Sequence, residues 1–284
     1  MMKRLEVVYS PLCEASGAFV GRLRAWLAGS DIQLTVMPYE VYAQRHDVSA
    51  YRAENCFIDV YDGEMLLDSV PLHREKLCAA LGISPAPEPP SSEPQLSHPM
   101  SVEDYRALRA AGRVEFLPIT PENFREEMQM CLCNYPFGNP PEAFHADCMH
   151  IKSRVFEEVW RSEALAGVYA RLNGVVIGLL EAFPREIVRR HGYMTGHGGL
   201  DADYLTVSCY EVGHGVPREA MLGDLMAQLL RRSARFHRRM LEGIGVPGCR
   251  EGFNPYWVYE QNGFYVSESL SNAVFVMERA LSAP

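Results

Sequence analysis

The chain has 284 residues, 48% of them hydrophobic and 22% charged, which is enough apolar material for two folded domains rather than one. Its net charge of −9 argues against nucleic acid as a partner, because phosphate backbones select basic surfaces. No apolar run approaches the ~18 residues of a membrane helix, and the charged N-terminus lacks the apolar core of a signal peptide. We therefore expect a cytoplasmic protein without a membrane partner, whose eight cysteines are mostly free thiols.

The N-terminal region alternates short apolar runs with helical patterns. Period-2 or continuous apolar runs predict four strands, at Leu5–Tyr9, Ile32–Met37, Cys56–Tyr61 and Met65–Ser69. The last two flank Asp62-Gly63, a dipeptide typical of tight hairpins. One helix is predicted to begin at Cys13 and to end before Gly29, and another is predicted from Pro71 to Leu81. The resulting order of strands and helices resembles the thioredoxin fold, so we expect a thioredoxin-like α/β domain.

Cys13 lies between the first strand and the first helix, which is the active-site position in the resembled fold. A helix N-terminus lowers the pKa of a thiol and makes it more nucleophilic. The motif is C-x-x-S, with Ser16 where a resolving cysteine would stand, and no proline precedes the third strand at residues 53–56. This pattern argues against a dithiol oxidoreductase. Two alternatives remain, a monothiol site at Cys13 and Ser16 or a domain without redox function.

Residues 84–99 are dense in proline and serine, which is typical of an extended, semi-rigid linker. We therefore predict a first domain at residues 1–83, a linker at 84–99 and a second domain at 100–284. Ser101 and Asp104 have the spacing of a capping box, which predicts a short helix through Ala111 at the start of the second domain.

The second domain begins with a strand and two helices, followed by three strands and a long helix. The strands are predicted at Arg113–Ile119, Ala166–Leu172, Val175–Phe183 and Tyr204–Val212. The helices are predicted from a Thr120 N-cap to Met130, at Ala146–Ser162 and from Glu219 to about Arg239, with a basic face of Arg231, Arg232, Arg235, Arg238 and Arg239. Asn173-Gly174 predicts a type I′ turn, and residues 184–203 are expected to form a loop.

The stretch from Tyr204 to Phe264 combines a strand, a glycine turn, a helix and the sequence Y-E-x-x-G-F. A strand, turn and helix in this order aim backbone N–H groups and a helix N-terminus at a phosphate. Over residues 113–281 the order of elements resembles the GCN5-related N-acetyltransferase family. The resemblance implies a mixed sheet flanked by helices and direct transfer from acetyl-CoA, or another acyl-CoA, to a small-molecule or peptide amine. It also allows a homodimer, without specifying one.

The resemblance implies where the co-substrate binds. Backbone groups of Tyr210 and Val212 would hold the acyl carbonyl and pantetheine if a bulge splays the strand. The family's phosphate turn, R/Q-x-x-G-x-G/A, can be aligned in two ways. Either the glycines at 213–215 serve as the turn, or the motif is shifted so that Arg218 takes its first position, Gly223 its last, and Met221 the position of the first glycine. The candidate contacts are Tyr210, Val212, Gly213, His214, Gly215, Arg218, Gly223 and, out of register with the family's asparagine, Asn254.

The resemblance also implies the acid and the base. Tyr259, in Y-E-x-x-G-F, corresponds to a tyrosine that protonates the departing coenzyme A thiolate. A base must take a proton from an ammonium acceptor. Glu211, just before the turn, and Glu181, near the end of the preceding strand, are the candidates, with His214 as a third.

A cluster of soft ligands offers a rival interpretation. Cys131, Cys133, His145, Cys148 and His150 lie within twenty residues, and zinc binds such groups, although their spacing matches no standard finger. The alternative function is therefore a non-catalytic domain of the same fold that binds a ligand or metal, fused to a monothiol or redox-inactive thioredoxin-like domain.

Overall fold

This computed structural model describes residues 3–12, 20, 23–24, 26–46, 57–61, 64–68, 79, 82–84, 99–133, 142–162, 166–233, 238–247 and 255–281. The chain forms two compact units. The first comprises residues 1–91, 140–155 and 189–194, and the second comprises residues 92–139, 156–188 and 195–284. The predicted linker at 84–99 lies almost wholly outside the described residues, so the domain boundary stays a prediction. None of the helices in the described ranges is long and apolar enough to cross a membrane.

The first unit contains a four-stranded sheet in the order β2-β1-β3-β4. Its strands are β1 (Lys3–Tyr9), β2 (Ile32–Pro38), β3 (Phe57–Tyr61) and β4 (Glu64–Asp68). β1 is parallel to β2 and antiparallel to β3, which is antiparallel to β4. The four predicted strands are thus confirmed, and α1 (Tyr39–Ala43) follows β2. The core packs Leu5 and Val7 of β1 against Leu23, Trp26 and Leu27, as expected for an apolar helix face.

The second unit contains a seven-stranded mixed sheet in the order β10-β11-β9-β8-β7-β6-β5. Its strands are β5 (Val114–Pro118), β6 (Gly167–Leu172), β7 (Val175–Pro184), β8 (Tyr204–Val212), β9 (Met240–Gly245), β10 (Tyr265–Ser271) and β11 (Val274–Ala280). Its helices are α2 (Val102–Ala110), α3 (Phe124–Cys133), α6 (Arg218–Ser233) and α7 (Tyr256–Gln261). Two further helices, α4 (Glu142–Arg161) and α5 (Arg185–Arg190), each have residues in both units. The predicted α/β class with a mixed sheet flanked by helices is confirmed.

The two faces of this sheet carry different helices. On one face, Met221 and Leu225 of α6 lie against Gly178 of β7, where a Cβ would meet both side chains. On the other face, Phe183 of β7 makes an edge-to-face contact with Phe156 of α4. Cross-strand alternation therefore separates the residues of β7 and β8 into two sets, one for each face.

Two local predictions are confirmed by backbone geometry. Asn173 and Gly174 both have positive φ, 52° and 82°, as a type I′ turn requires. Ser101 caps α2, because its Oγ accepts a hydrogen bond from Asp104 N at 3.0 Å.

Three element boundaries differ from those predicted. α6 ends at Ser233 and Met240 already belongs to β9, so Arg238 and Arg239 are not on a helix face. The ladder that β9 forms with β11 competes with local helix propensity. α3 begins at Phe124 rather than after Thr120, because residues 121–123 form a turn. The expected loop at 184–203 begins with α5.

Candidate functional site

The centre of the second unit is the place where two parallel strands separate. β8 and β9 pair only through Tyr204–Thr206 and Met240–Glu242, although both strands are described in full and continue to Val212 and Gly245. β9 stays paired with β11 beyond this point, and β8 stays paired with β7. The sheet therefore opens between β8 and β9, and backbone edges of both strands face the opening.

β8 has a bulge at the beginning of the opened segment. Cys209 pairs with Glu181 and Val207 with Ala182, which leaves Ser208 as the extra residue. A bulge of this kind bends its strand and breaks the ladder locally. Tyr210 and Val212, the residues expected to bind the co-substrate through their backbones, lie just beyond it. We expected these backbone groups to be available only if a bulge splays the strand, and β8 has such a bulge.

The turn after β8 is tightly bonded. Gly213 N donates to Ile177 O of β7, and Val216 N donates back to Gly213 O, both at 3.0 Å. Gly215 has a φ of +81°, which L side chains rarely adopt, so a glycine is needed there. His214 is exposed at the tip of the turn.

α6 follows the turn at once and points its N-terminus toward it. Met221 N makes the first bond within the helix, to Pro217 O at 3.0 Å. The amides of residues 218–220 thus precede the first helical bond, at the end of the helix where the macrodipole is positive. Arg218 is the first helical residue, and the space around Gly223 is open, since a Cβ there would meet nothing within 4 Å.

Tyr259 lies beside the opening, where Gly243 of β9 makes room for it. An added Cβ on Gly243 would lie closer than 3.0 Å to three atoms of the Tyr259 ring and hydroxyl. Gly243 directly follows the last β9 residue that pairs with β8. The Tyr259 ring is fully buried and meets Tyr210 of β8 edge-on, with ring centroids 6.3 Å apart. Phe264 N donates to Tyr259 O, which closes α7 just after Gly263 as predicted.

Glu181 and Glu211 lie on the same face of the sheet. Glu181 pairs with Cys209 and Leu179 pairs with Glu211, and residues joined in this way project to one side of an antiparallel ladder. This is the face of Phe183 and α4, opposite the face on which Met221 packs. Glu181 is completely buried, whereas Glu211 is half-buried.

The paired end of β8 carries a buried ionic network that the sequence analysis missed. Arg185 and Glu242 are both fully buried and form a bidentate ion pair, with Arg185 Nε 2.9 Å from Glu242 Oε1. Glu242 also accepts hydrogen bonds from Thr206 Oγ1 at 2.5 Å and Gly196 N at 3.2 Å. The Arg185 guanidinium lies 3.3 Å from the centre of the Tyr204 ring. These bonds attach α5, β8, β9 and the loop after α5 to one another.

Burial dominates the electrostatics of this network. It raises the pKa of the Glu242 carboxyl, an effect that the hydrogen bonds from Arg185 and Thr206 oppose. Burial also raises the pKa of the Tyr204 phenol, and the carboxylate of Glu278 adds to that shift. Arg185 and Glu242 are 57 residues apart, so no local periodicity links them. The one available signal was a glutamate in the middle of the apolar run at 240–245.

Several predicted site residues lie outside the described part of the chain. They are Cys13, Ser16 and Asn254, so the thiol site and the asparagine contact stay predictions. Leu12, just before Cys13, accepts a hydrogen bond from the buried ammonium of Lys152. The backbones of Cys131, Cys133, His145 and Cys148 are helical, but their side chains are not described, so the metal site also stays a prediction. No metal-binding group of His, Cys, Asp and Glu occurs among the side chains that were described.

No protein-family model and no curated protein matches the chain. Among solved structures, an N-acetyltransferase from Staphylococcus aureus Mu50 is 9% identical, covers 60% of this chain and 99% of its own, and has a TM-score of 0.43. The PaiA N-acetyltransferase of Thermoplasma acidophilum, in complex with coenzyme A, is 14% identical, with coverages of 59% and 98% and a TM-score of 0.39. A GNAT family acetyltransferase from Brucella melitensis, in complex with acetyl-CoA, is 14% identical, with coverages of 60% and 88% and a TM-score of 0.37. Identities and TM-scores this low establish neither a family nor an activity for this chain.

Proposed function

We propose that the second unit is an acyl-CoA-dependent N-acetyltransferase of the GCN5-related type, which acts in the cytoplasm on a small-molecule or peptide amine. The observation that carries the proposal is the separation of the parallel strands β8 and β9 directly beside Tyr259. The opening exposes backbone donors and acceptors along two strand edges, and an extended amide-containing chain such as pantetheine is suited to bond them.

The turn and helix beyond the opening suit the phosphates of the co-substrate. The first-turn amides of α6 and the positive end of its dipole favour an anion at this place. Gly215 lets the chain turn sharply there, and Arg218 supplies a cation at the helix start. A co-substrate with pantetheine between β8 and β9 and pyrophosphate at residues 213–218 would have its thioester near Tyr210 and Tyr259.

The chemistry is direct transfer. The neutral amine nitrogen attacks the thioester carbonyl, a C–N bond forms, and the C–S bond breaks as the tetrahedral intermediate collapses. The proton lost by the amine passes to a carboxylate, and the departing thiolate takes a proton from Tyr259. Backbone N–H groups at the bulge of β8 would stabilise the negative charge on the carbonyl oxygen.

Glu211 suits the role of base better than Glu181. It is half-buried in the opened segment of β8, within reach of water and of an entering amine. Glu181 is completely buried on the same face of the sheet, so it would act through water or through movement of its neighbours.

Acetyl-CoA binding to Gly223→Trp, measured by calorimetry, tests the proposal. A Cβ at Gly223 meets nothing within 4 Å, and tryptophan has a better helix propensity than glycine, so the fold should tolerate the change. A co-substrate that lies along α6 would collide with the indole. We expect the wild-type protein to bind in the micromolar range and the variant to lose at least about tenfold in affinity, equivalent to about 1.4 kcal/mol.

The matched control is Gly198→Trp. Gly198 is exposed and, like Gly223, would have no neighbour of an added Cβ within 4 Å, and it lies in the loop after α5. Equal loss of binding in both variants, or no binding of acetyl-CoA by the wild-type protein, would contradict the proposal.

For the first unit we propose a thioredoxin-like domain with a monothiol site at Cys13 or no redox function. The strand order β2-β1-β3-β4, with β1 parallel to β2 and antiparallel to β3, supports this assignment.

A second candidate function is a non-catalytic binding domain of the same fold. It is favoured by Met221, which is fully buried where the shifted alignment with the resembled family has a glycine. Acetyl-CoA binding without release of coenzyme A, across a panel of polyamines and lysine-containing peptides, would support this candidate.

A further inference from the structure

The turn that begins α6 is held from outside the sheet by the segment that precedes β5. Met100 N donates to Gly215 O at 2.7 Å. The peptide group that joins Gly215 to Val216 is thereby bonded at both ends, since Val216 N donates to Gly213 O. A peptide bonded at its carbonyl and its amide has little freedom to rotate, so its orientation depends on Met100 as well as on the turn itself.

α2 makes a second connection, two turns into α6. Tyr105 is 1% exposed, and its hydroxyl donates to Asp224 Oδ2 at 2.7 Å. Arg109 Nε lies 2.7 Å from the same oxygen. Burial raises the pKa of the Tyr105 phenol and the hydrogen bond to Asp224 raises it further, so the phenol stays a donor throughout the physiological pH range. The pair of donors fixes the side of α6 that carries Asp224.

Tyr105 also contacts the side of α6 that packs against the sheet. The Tyr105 hydroxyl lies 3.8 Å from the Met221 sulfur, and Met221 packs against Gly178 of β7 so closely that a Cβ there would approach its Cγ to 2.9 Å. α6 thus packs between α2 on one side and β7 on the other. Rotation of α6 about its axis would disturb both contacts.

We propose that Met100 and Tyr105 are positioning residues for the turn at 213–217, which they hold in the arrangement that binds the pyrophosphate of the co-substrate. This inference rests on the proposed function. α2 and the two residues before it act as a brace, defined here as residues 100–110, that orders the turn before the ligand arrives. Because ordering then costs less on binding, the brace raises affinity without touching the ligand.

Tyr105→Phe tests the brace, because it removes the hydroxyl and keeps the buried ring. We expect the Kd for acetyl-CoA to rise by about threefold to tenfold, which is less than the full effect of one hydrogen bond to a charged group, because only the part that orders the turn is felt in binding. S-acetylpantetheine, which lacks the pyrophosphate, should bind Tyr105→Phe and wild type equally. In turnover the KM for acetyl-CoA should rise while kcat stays unchanged. The matched control is Arg106→Gln, on the exposed side of the same helix.

A second pair of variants tests the backbone bond. Met100→Pro removes the N–H that Gly215 O accepts, whereas Met100→Ala keeps it. Hydrogen exchange at the amides of residues 214–216, measured without ligand, should speed up in Met100→Pro and Tyr105→Phe and stay at the wild-type rate in Met100→Ala.

The outcomes separate the two proposals. Wild-type protein that binds no acetyl-CoA overturns the proposed function and the positioning role with it. If Tyr105→Phe binds acetyl-CoA as tightly as the wild-type protein does, the positioning role is overturned and the proposed function stands. The same holds if the substitution weakens the binding of acetyl-CoA and of S-acetylpantetheine equally.

Discussion

The two ends of β8 differ in how they interact with the parallel strand β9. At Tyr204–Thr206 the strand is joined to β9 by a ladder, and the Arg185–Glu242 pair fills the adjoining space without exposure to solvent. From Ser208 onward β8 is not paired with β9, and a bulge bends β8. Here β9 has a glycine in place of a residue with a side chain. The comparison teaches that an opening within a sheet needs a firmly closed end beside it, because the separated segments of β8 and β9 contribute no pairing to each other.

The largest effect is expected from breaking the closed end with Arg185→Met. The change removes the guanidinium and leaves Glu242 buried without its charged partner, which costs about 3–5 kcal/mol in the free energy of unfolding. Urea denaturation measures it. Arg171→Met is the control on the same sheet, because Arg171 pairs with Glu115 and Glu126 at partly exposed positions, where solvent screening makes the expected loss much smaller.

A double variant sharpens this result. Arg185→Met with Glu242→Leu removes both charges, so it should recover part of the stability lost by Arg185→Met alone. A double variant less stable than the single one would show that Glu242 is held by Thr206 and Gly196 rather than by the arginine.

The open end is tested by Tyr259→Phe. Loss of a general acid typically slows turnover by about 10²-fold or more, so we expect a fall of that order in kcat with the unfolding midpoint nearly unchanged. Release of coenzyme A from acetyl-CoA, with the amine that the panel identifies, is the measurement. Tyr256→Phe is the control, since Tyr256 lies in the same helix and packs edge-on against Phe275. Equal rates in wild type and Tyr259→Phe would remove this tyrosine from the mechanism.

Gly243→Ala tests whether β9 needs its glycine beside Tyr259. The new methyl group would lie closer than 3.0 Å to a rigid ring, and overpacking of this kind costs about 1–3 kcal/mol. The ring would have to move, so acetyl-CoA binding should weaken as well.

Gly245→Ala provides the comparison on the same strand. Its Cβ would lie 2.9 Å from Cγ of the flexible Met277 side chain, which can adjust, and 3.1 Å from Cδ2 of Tyr256, a longer approach to a ring than at Gly243. Thermal unfolding of the two variants should therefore show a smaller loss for Gly245→Ala. The reverse order would mean that the Tyr259 ring is free to shift.

The smallest effect is expected at the outer edge of the closed end. His197 N donates to Glu268 Oε2 at 2.9 Å, and the His197 side chain is 70% exposed. Glu268→Gln should change the free energy of unfolding by less than about 1 kcal/mol, because water screens such pairs. A loss above about 2 kcal/mol in urea denaturation would show that the loop after α5 is held from β10 as strongly as from Arg185.

The sequence by itself determined the elements whose signals are local. β8 begins and ends at the predicted residues, Asn173-Gly174 forms the predicted turn, and Gly263 closes the helix of Tyr259. Apolar alternation, positive-φ dipeptides and caps each depend on a few neighbouring residues, so they can be read without a partner. The resemblance carried by these elements, rather than the local signals themselves, identified Tyr259, Glu211 and the glycine turn as candidates, and their chemistry stays a proposal.

Tertiary structure alone decided what depends on distant partners. The helix expected to continue to Arg239 does not do so, since Met240 already belongs to β9, for which β8 and β11 supply ladders. Arg185 meets Glu242 across 57 residues, and Met100 reaches Gly215 across a still longer stretch of chain. Such contacts carry no period in the sequence, since their energy comes from burial and pairing that exist only once the sheet has formed. The opening between β8 and β9 is of the same kind, a property of two strands together and of neither alone.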